Sequence, residues 1–243
     1  RPAQRCNPCE GARPSLRLAP CAERESITFI LFRYLQVTVL APQDEATQLS
    51  LLLGGYTKTM HRPPLNHCRV CGTSVVYRLP DDGDTKKRAV CPSCNNVHYE
   101  NPLNVVGTVP VWGEGGTQVL LCKRNIEPRK GFWTLPAGFM ELGETTAQGA
   151  ARETVEEAGA QFELLPIFTM MNVVRAGQVH LFYRAQLLST AFDPGHETME
   201  ARLFTESEIP WDDIAFRTVK ETLRLYFADR KADDFGFHTV DIE

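Results

Sequence analysis

Between Gly138 and Ala160 the chain reads GFMELGETTAQGAARETVEEAGA, and this stretch restricts the fold more than any other. From about residue 145 to 158 it is rich in Ala, Glu, Gln and Arg and lacks proline. It stops at Gly159, a residue suited to the left-handed conformation that ends helices. The composition predicts a helix. Offsets of three and four residues share a helix face, so Glu153, Glu156 and Glu157 fall within one narrow arc. Opposite them, Ala147, Ala150, Ala151, Thr154 and Ala158 make a small-residue face that can lie close on a sheet. Unanswered, the like charges cost roughly a few tenths of a kcal/mol per i,i+4 pair and raise one another's pKa. A hard divalent cation answers them well, because Mg²⁺ prefers carboxylate oxygens, keeps several waters and bridges to phosphates. One face is expected to pack and the other to hold metal.

Upstream, Cys68 and Cys71 are followed after nineteen residues by Cys91 and Cys94. Two Cys-x-x-Cys pairs at this separation match a tetrahedral structural Zn²⁺ site. Residues 75–79 and 87–90 read as the strands of a ribbon around Asp81-Asp82-Gly83-Asp84. So small a unit has too little core to fold unaided, so metal would supply much of its folding energy. With four cysteines available, His67 and His98 read as non-ligands. The basic run Lys86-Lys87-Arg88 is offset by nearby Asp residues, which favours a structural or dimer-forming ribbon over one that binds nucleic acid.

The whole chain has 243 residues, 43% of them hydrophobic, and a formal net charge of −4. This balance offers no broad electrostatic footprint for nucleic acid, and no nucleic-acid partner is expected. The apolar runs at residues 27–32 and 35–40 are far short of the roughly 20 residues of a membrane span, so no membrane association is expected. Paired cysteines of the metal-binding kind favour a reducing compartment, and the expectation is a cytoplasmic protein. Residues 1–59 contain no methionine and show no sustained period. They read as a disordered or non-native extension, with Met60 as the true start and Cys6, Cys9 and Cys21 incidental. Glu10, Glu23, Glu25, Asp44 and Glu45 spoil the composition of a transit peptide. The expected division is a zinc ribbon over residues 60–102, a catalytic domain over 103–230 and a tail over 231–243.

Within that domain, residues 105–111 and 118–122 read as strands joined by a glycine-rich hairpin. Residues 162–171, 178–188 and 201–204 are further strand candidates, with Phe182 and Tyr183 on opposite faces of theirs. Phe216, Val219, Leu223, Tyr226 and Phe227 recur at helical spacing and predict a closing helix. Cys122 and Trp133 read as core. Mixed strands with two helices on opposite faces imply an α/β/α sandwich.

Gly138, five residues, Glu144, seven residues, Arg152-Glu153, then Glu156-Glu157 and Gly159 match the Nudix box, and the chain resembles the Nudix hydrolases. These cleave nucleoside diphosphates linked to another moiety. Only Thr154 and Ala160, at aliphatic positions, depart from the pattern. The resemblance implies the same sandwich, with Glu153 and Glu157 as principal ligands of a catalytic Mg²⁺ or Mn²⁺ and Glu156 as a further ligand or water-network partner. The backbone at Ala137 and Gly138 would complete the shell through the Ala137 carbonyl. Arg152 and Glu144 would orient the metal carboxylates through an ion pair. Members commonly recruit an acid from a loop beyond the box, for which Glu197 is the first choice and Glu200 the second.

A zinc ribbon ahead of the box looks like the NADH pyrophosphatases. Their stretch rich in Gln, Pro, Trp and Phe is absent, however, and the chain has Pro166-Ile-Phe-Thr-Met-Met-Asn-Val-Val in that region. This departure argues against NADH and NAD-capped RNA. The chain is more similar to the plant plastid FAD and ADP-ribose pyrophosphatases and their bacterial relatives. That similarity rests on His98-Tyr-Glu-Asn-Pro102, Leu120-Leu-Cys-Lys-Arg-Asn125, Trp133-Thr-Leu-Pro-Ala-Gly138 and Arg202-Leu-Phe204 with Glu208-Ile-Pro210. It implies hydrolysis of a small-molecule nucleotide, FAD or ADP-ribose, to two monophosphates, and a homodimer. The alternatives are an NADH, other dinucleotide or nucleotide-sugar pyrophosphatase and, from another class, a non-catalytic nucleotide or nucleic-acid binding module.

Overall fold

The computed structural model describes residues 63–243. The expected extension over residues 1–59, its three cysteines and Met60 lie outside the described residues. Strands β1 (Val76–Arg78), β2 (Arg88–Val90) and β3 (Val97–His98) form a small antiparallel sheet in that order. The two strands read from sequence are present, and β3 is additional. A turn returns the chain for it, with the Cys91 N–H donating to the Asn96 carbonyl at 2.9 Å. Arg88 is engaged within this unit: its Nε lies 2.7 Å from Asp84 and its guanidinium covers the Tyr99 ring at 5.2 Å.

The larger sheet is built from β4 (Leu103–Trp112), β5 (Gln118–Arg124), β6 (Trp133–Thr134), β7 (Ala137–Phe139), β8 (Phe162–Val173), β9 (Gln178–Leu187), β10 (Thr198–Thr205) and β11 (His238–Ile242). Helices α1 (Thr146–Ala158) and α2 (Arg217–Ala232) accompany it. The strand order is β10-β5-β4-β9-β8-β11, with β6 on β5 and β7 on β4. β4 and β9 run parallel, as do β8 and β11, and the other pairs are antiparallel. Side-chain alternation along β5 sends residues to two cores. Val119 and Leu121 join Val109, Phe168, Phe182 and Phe204 beneath Val219, Leu223, Tyr226 and Phe227 of α2. Leu120 and Cys122 join Ala158, Ala160 and Leu187 on the α1 side. The result is the expected α/β/α sandwich, with Trp133 and Cys122 buried in it. Beyond residue 230, where the sequence reading has only a tail, α2 runs on to Ala232 and β11 closes the sheet edge. Among the described residues, no helix is long and apolar enough to cross a membrane.

Helix α1 owes its bounds to its ends. The Thr145 hydroxyl accepts from the Gln148 N–H while the Gln148 side chain accepts from the Thr145 N–H, a capping box, and Gly159 closes the helix with φ of 59°. The packed face differs from the expected one. Gly149, Ala150, Thr154 and Ala158 are buried, but so is Glu157, while Ala147 and Ala151 are only partly covered. The sheet covers an arc of α1 that reaches one of the acids, so the packing and acidic faces overlap.

Thr154, one of the two departures from the box, has a structural reason. Its hydroxyl donates to the Ala150 carbonyl at 2.8 Å and lies 2.7 Å from the Thr108 hydroxyl of β4, both fully buried. Thr154→Val leaves the Thr108 hydroxyl buried without a partner, an expected loss of about 1–3 kcal/mol. Thr108→Val leaves Thr154 bonded to Ala150 and should cost less. The double substitution, read by chemical denaturation, is expected to be less destabilised than Thr154→Val alone.

His180 on β9 is mostly buried, and burial pushes its pKa down to about 4. The folded protein holds it neutral, whereas the unfolded chain takes up a proton below about 6.5. Its contribution is therefore complete above about pH 6.5 and is lost as pH falls toward 4, by about 3 kcal/mol in all. Stability measured from pH 7 to 4 should decline less in His180→Gln than in the parent chain.

Candidate active site and metal centre

Four elements converge at one end of the larger sheet: α1, β7, the end of β5 and the segment leading into β10. Glu157 is 7% exposed, and its carboxylate accepts the Ala137 N–H of β7 at 3.1 Å. Burial pushes its pKa up to about 8, with the Glu153 and Glu197 charges adding to the effect and the Ala137 N–H opposing it. Glu153, one turn earlier with its side chain 13% exposed, is also raised, chiefly by burial. A Cβ at Gly138 would run into the Glu153 carboxylate, so glycine there lets β7 pass directly beside it. Glu156 points outward, with its side chain 59% exposed.

Arg152 ties the acids together. It donates to Glu144 through Nε at 3.0 Å and Nη2 at 2.8 Å, to Glu153 at 2.7 Å, to Glu156 at 3.1 Å and to the Phe139 carbonyl at 3.2 Å. The Arg152 guanidinium, with help from the Glu141 N–H, holds Glu144 down at about 2. Glu144 is thus a fixed anchor for the arginine, and the arginine fixes the Glu153 rotamer.

Glu197 lies close enough for its charge to raise both Glu153 and Glu157. Its segment is latched onto the end of α1. Asp193 N–H donates to the Ala158 carbonyl at 3.0 Å, and the Asn125 N–H donates to the Glu197 carbonyl at 2.7 Å. A Cβ at Gly159 would strike the Asp193 carbonyl, and one at Gly195 would strike the Glu156 carbonyl, so the two backbones touch through a pair of glycines. Glu200 lies elsewhere: it sits on β10 opposite Lys123 and its carboxylate is 4.0 Å from Arg202. Of the two acids read from the sequence, only Glu197 joins the cluster. The Ala137 N–H bonds the Glu157 carboxylate, an interaction separate from the metal-ligand role expected of the Ala137 carbonyl.

Two partly desolvated carboxylates beside a third, with one arginine among them, form an oxygen-rich donor set suited to a hard divalent cation. The sequence reading misses Arg124, the last residue of β5, which is 9% exposed. The signal available is a basic residue at the end of an apolar strand run, Leu120-Leu-Cys-Lys-Arg124.

In the small sheet, the sulfurs of Cys68, Cys71, Cys91 and Cys94 all lie within 4.8 Å of one another. Three of the separations are 3.4–3.6 Å, and none is a disulfide. A tetrahedron with metal–sulfur bonds of about 2.3 Å has edges of about 3.8 Å, so the cluster is shaped for one four-coordinate ion. His98 stands outside the cluster with Nε2 3.3 Å from Cys68 Sγ.

Residues 102–225 match the model of the NUDIX domain, and residues 66–100 match that of the Nudix N-terminal zinc ribbon. The chain belongs to the Nudix hydrolase family and carries the zinc-ribbon domain ahead of the hydrolase fold. It is 47% identical to a NUDIX hydrolase from Nitrosomonas europaea, whose crystal structure matches with a TM-score of 0.69 over 73% of this chain and 99% of that one. It is 29% identical over 192 residues to the NAD-capped RNA hydrolase NudC of Photobacterium profundum, covering 76% of this chain and 65% of that one. Over 118 residues it is 30% identical to an ADP-ribose pyrophosphatase of Methanocaldococcus jannaschii, covering 46% of this chain and 69% of that one. The chain spans under two thirds of the length of that NudC.

Proposed function

We propose that this protein hydrolyses the diphosphate bond of a nucleoside diphosphate linked to another moiety, releasing two monophosphates. The observation that carries the reading is the buried Glu157, bonded to β7 through the Ala137 N–H, beside Glu153, which Arg152 holds, with the Glu197 charge close to both. Glu153 and Glu157 would hold Mg²⁺ or Mn²⁺, with Glu156 and Glu197 as further ligands. When bound, the cation neutralises phosphate charge and acidifies water near it. Arg152 keeps the Glu153 oxygens aimed, and Glu144 keeps Arg152 in place. In the reaction a water oxygen adds to one phosphorus, the bridging P–O bond breaks, and the bridging oxygen leaves with the other phosphate. One of the clustered carboxylates accepts the water's proton at an Oε atom. Such a reaction depends mainly on positioning and charge stabilisation, which a rigid carboxylate helix beside a strand supplies.

In the ribbon, Cys68, Cys71, Cys91 and Cys94 would hold a structural Zn²⁺. A boundary near residue 102 is supported by the two family models, which end at 100 and begin at 102.

For substrate we put ADP-ribose first, supported by the ADP-ribose pyrophosphatase relative, with FAD beside it because it carries the same ADP half. A second reading, NADH or an NAD-capped end, is favoured by the NudC relative. Product analysis with Mg²⁺, offering ADP-ribose, FAD and NADH side by side, separates them. Turnover of ADP-ribose or FAD well above NADH supports the first reading, and the reverse order replaces it with the second. No turnover of any of the three by folded, metal-loaded protein would discard both.

A further inference from the structure

Resting on the zinc reading of the ribbon, we infer that His98 is a positioning residue of that centre: its Nε2–H donates to the metal-bound Cys68 sulfur and keeps it in its place in the cluster. Four thiolates outnumber the charge of one Zn²⁺, so the loaded centre is an anion. Its inner half is desolvated, with Cys68 4% and Cys91 0% exposed, whereas Cys71 and Cys94 face solvent. Buried negative charge is costly unless hydrogen-bond donors meet it. The fold supplies such donors. The Val70 N–H reaches Cys68 at 3.4 Å, the Cys94 N–H reaches Cys91 at 3.5 Å, and the Thr73 hydroxyl lies 3.4 Å from Cys71. His98 Nε2, 3.3 Å from Cys68, makes the shortest of these contacts and, among the described residues, the only one from a side-chain nitrogen.

The direction of the bond follows from the chemistry of the ligand. A cysteine that binds metal has lost its proton and can only accept, so the hydrogen shared with His98 sits on the imidazole. The neighbours of His98 fix the place of the ring. It is 8% exposed and lies on β3 opposite Ala89 of β2, the strand that runs directly into Cys91. The next residue, Tyr99, is held from two sides, by its hydroxyl on Asp82 at 2.7 Å and by the Arg88 guanidinium over its ring. Cys68 belongs to the first cysteine turn and His98 to the last strand, 30 residues on. Their bond therefore ties the first pair of ligands to the sheet that carries the second pair. His67 has no such place: it is exposed and meets Ser74 through a backbone bridge.

The test compares the parent chain with His98→Phe, which keeps a flat ring without the N–H, and His98→Gln, whose Nε2–H can reach the same place. Zinc affinity is read by chelator competition, and the Co²⁺-loaded ribbon by the energy of its sulfur-to-cobalt charge-transfer band. His98→Phe should bind Zn²⁺ about 10–100-fold more weakly. Its charge-transfer band should move to lower energy, because a thiolate relieved of a donor is richer in electrons. His98→Gln should recover most of the affinity and return the band toward the parent position. Weaker zinc binding with an unmoved band and no recovery by glutamine is the mark of a packing role and would overturn the proposal. So would unchanged affinity and band in a folded His98→Phe, or a parent Co²⁺ spectrum of three sulfurs and one nitrogen, which would make His98 a ligand. One measurement needs no variant: nitrogen NMR of the zinc-loaded parent should show His98 carrying a hydrogen on Nε2, and a bare Nε2 would overturn the proposal. A parent chain that takes up neither Zn²⁺ nor Co²⁺ would sink the zinc reading and this inference with it, whereas a zinc-loaded parent with indifferent variants would sink this one alone.

Discussion

Glu157→Gln is expected to lower diphosphate turnover about 10³-fold, some 4 kcal/mol of transition-state stabilisation, while leaving the metal-free fold as stable as before or more so. The substitution is isosteric, and a Gln carbonyl oxygen can still accept the Ala137 N–H that now bonds Glu157. What it removes is the negative charge at a site where burial already disfavours it. Loss of function with no loss of melting temperature would separate a metal ligand from a packing residue, since a core position would show the opposite pattern. The assay is ADP-ribose turnover with saturating Mg²⁺ alongside a melting curve in a chelating buffer. A variant that kept more than a tenth of the parent rate would remove Glu157 from the proposed shell. Glu200→Gln is the natural contrast, because Glu200 lies toward Arg202 and away from the cluster.

Cys91→Ser should empty the four-sulfur site and unfold the small sheet, leaving the sandwich standing. The three strands of that sheet hold three, three and two residues, and Cys68, Pro80, Ala89, Val90 and Cys91 are its buried apolar side chains. So little core cannot offset the chain entropy of its loops. Apparent binding energies of structural Zn²⁺ run to about 10–16 kcal/mol in comparable small domains, so nearly all the stability of the unit should go with the ion. Metal analysis should find one Zn²⁺ in the parent chain and none in the variant. Hydrogen exchange should become fast over residues 66–100 and remain slow in β4, β9 and α2. Persistent protection of β1–β3 in metal-free protein would show that the sheet folds on its own.

Much of the fold was legible because local signals agreed. Thr145 and Gly159 mark the ends of α1, and the glycines after Trp112 mark the β4–β5 hairpin. The spacing of Val219, Leu223, Tyr226 and Phe227 gives α2. Strand β11 was not legible: His238–Ile242 alternates mildly, and it is a strand because β8 offers a free edge, which is a tertiary fact. The candidate site divides in the same way. Helical spacing gathers Glu153, Glu156 and Glu157 on one arc, but it does not say how far around α1 the sheet reaches, and so it does not reveal that Glu157 is buried while Glu156 is exposed. Nor does spacing separate Glu197 from Glu200, since that depends on where β10 begins, and β10 starts at Thr198, earlier than the apolar run suggests. Arg124 was invisible for a related reason. An arginine after an apolar run reads as a strand reaching solvent, and only the packing of Phe216 and Pro128 against it shows that it stays inside.

The close approach of Gly159 to Asp193 and of Gly195 to Glu156 bears on how this scaffold can be re-engineered. It clamps the chain so close ahead of Glu197 that the acid's position is set by two missing methyl groups and not by the length of the preceding loop. Residues 189–191 lie between the Leu188 N–H, bonded to the Gln161 carbonyl, and Phe192, packed on the α1-side core, so insertions there should leave the acid in place. A single added residue between Gly195 and Glu197 would instead swing the carboxylate off the cluster. Recombination among relatives should follow the same line, with crossover points tolerated before Asp193 and rejected after it.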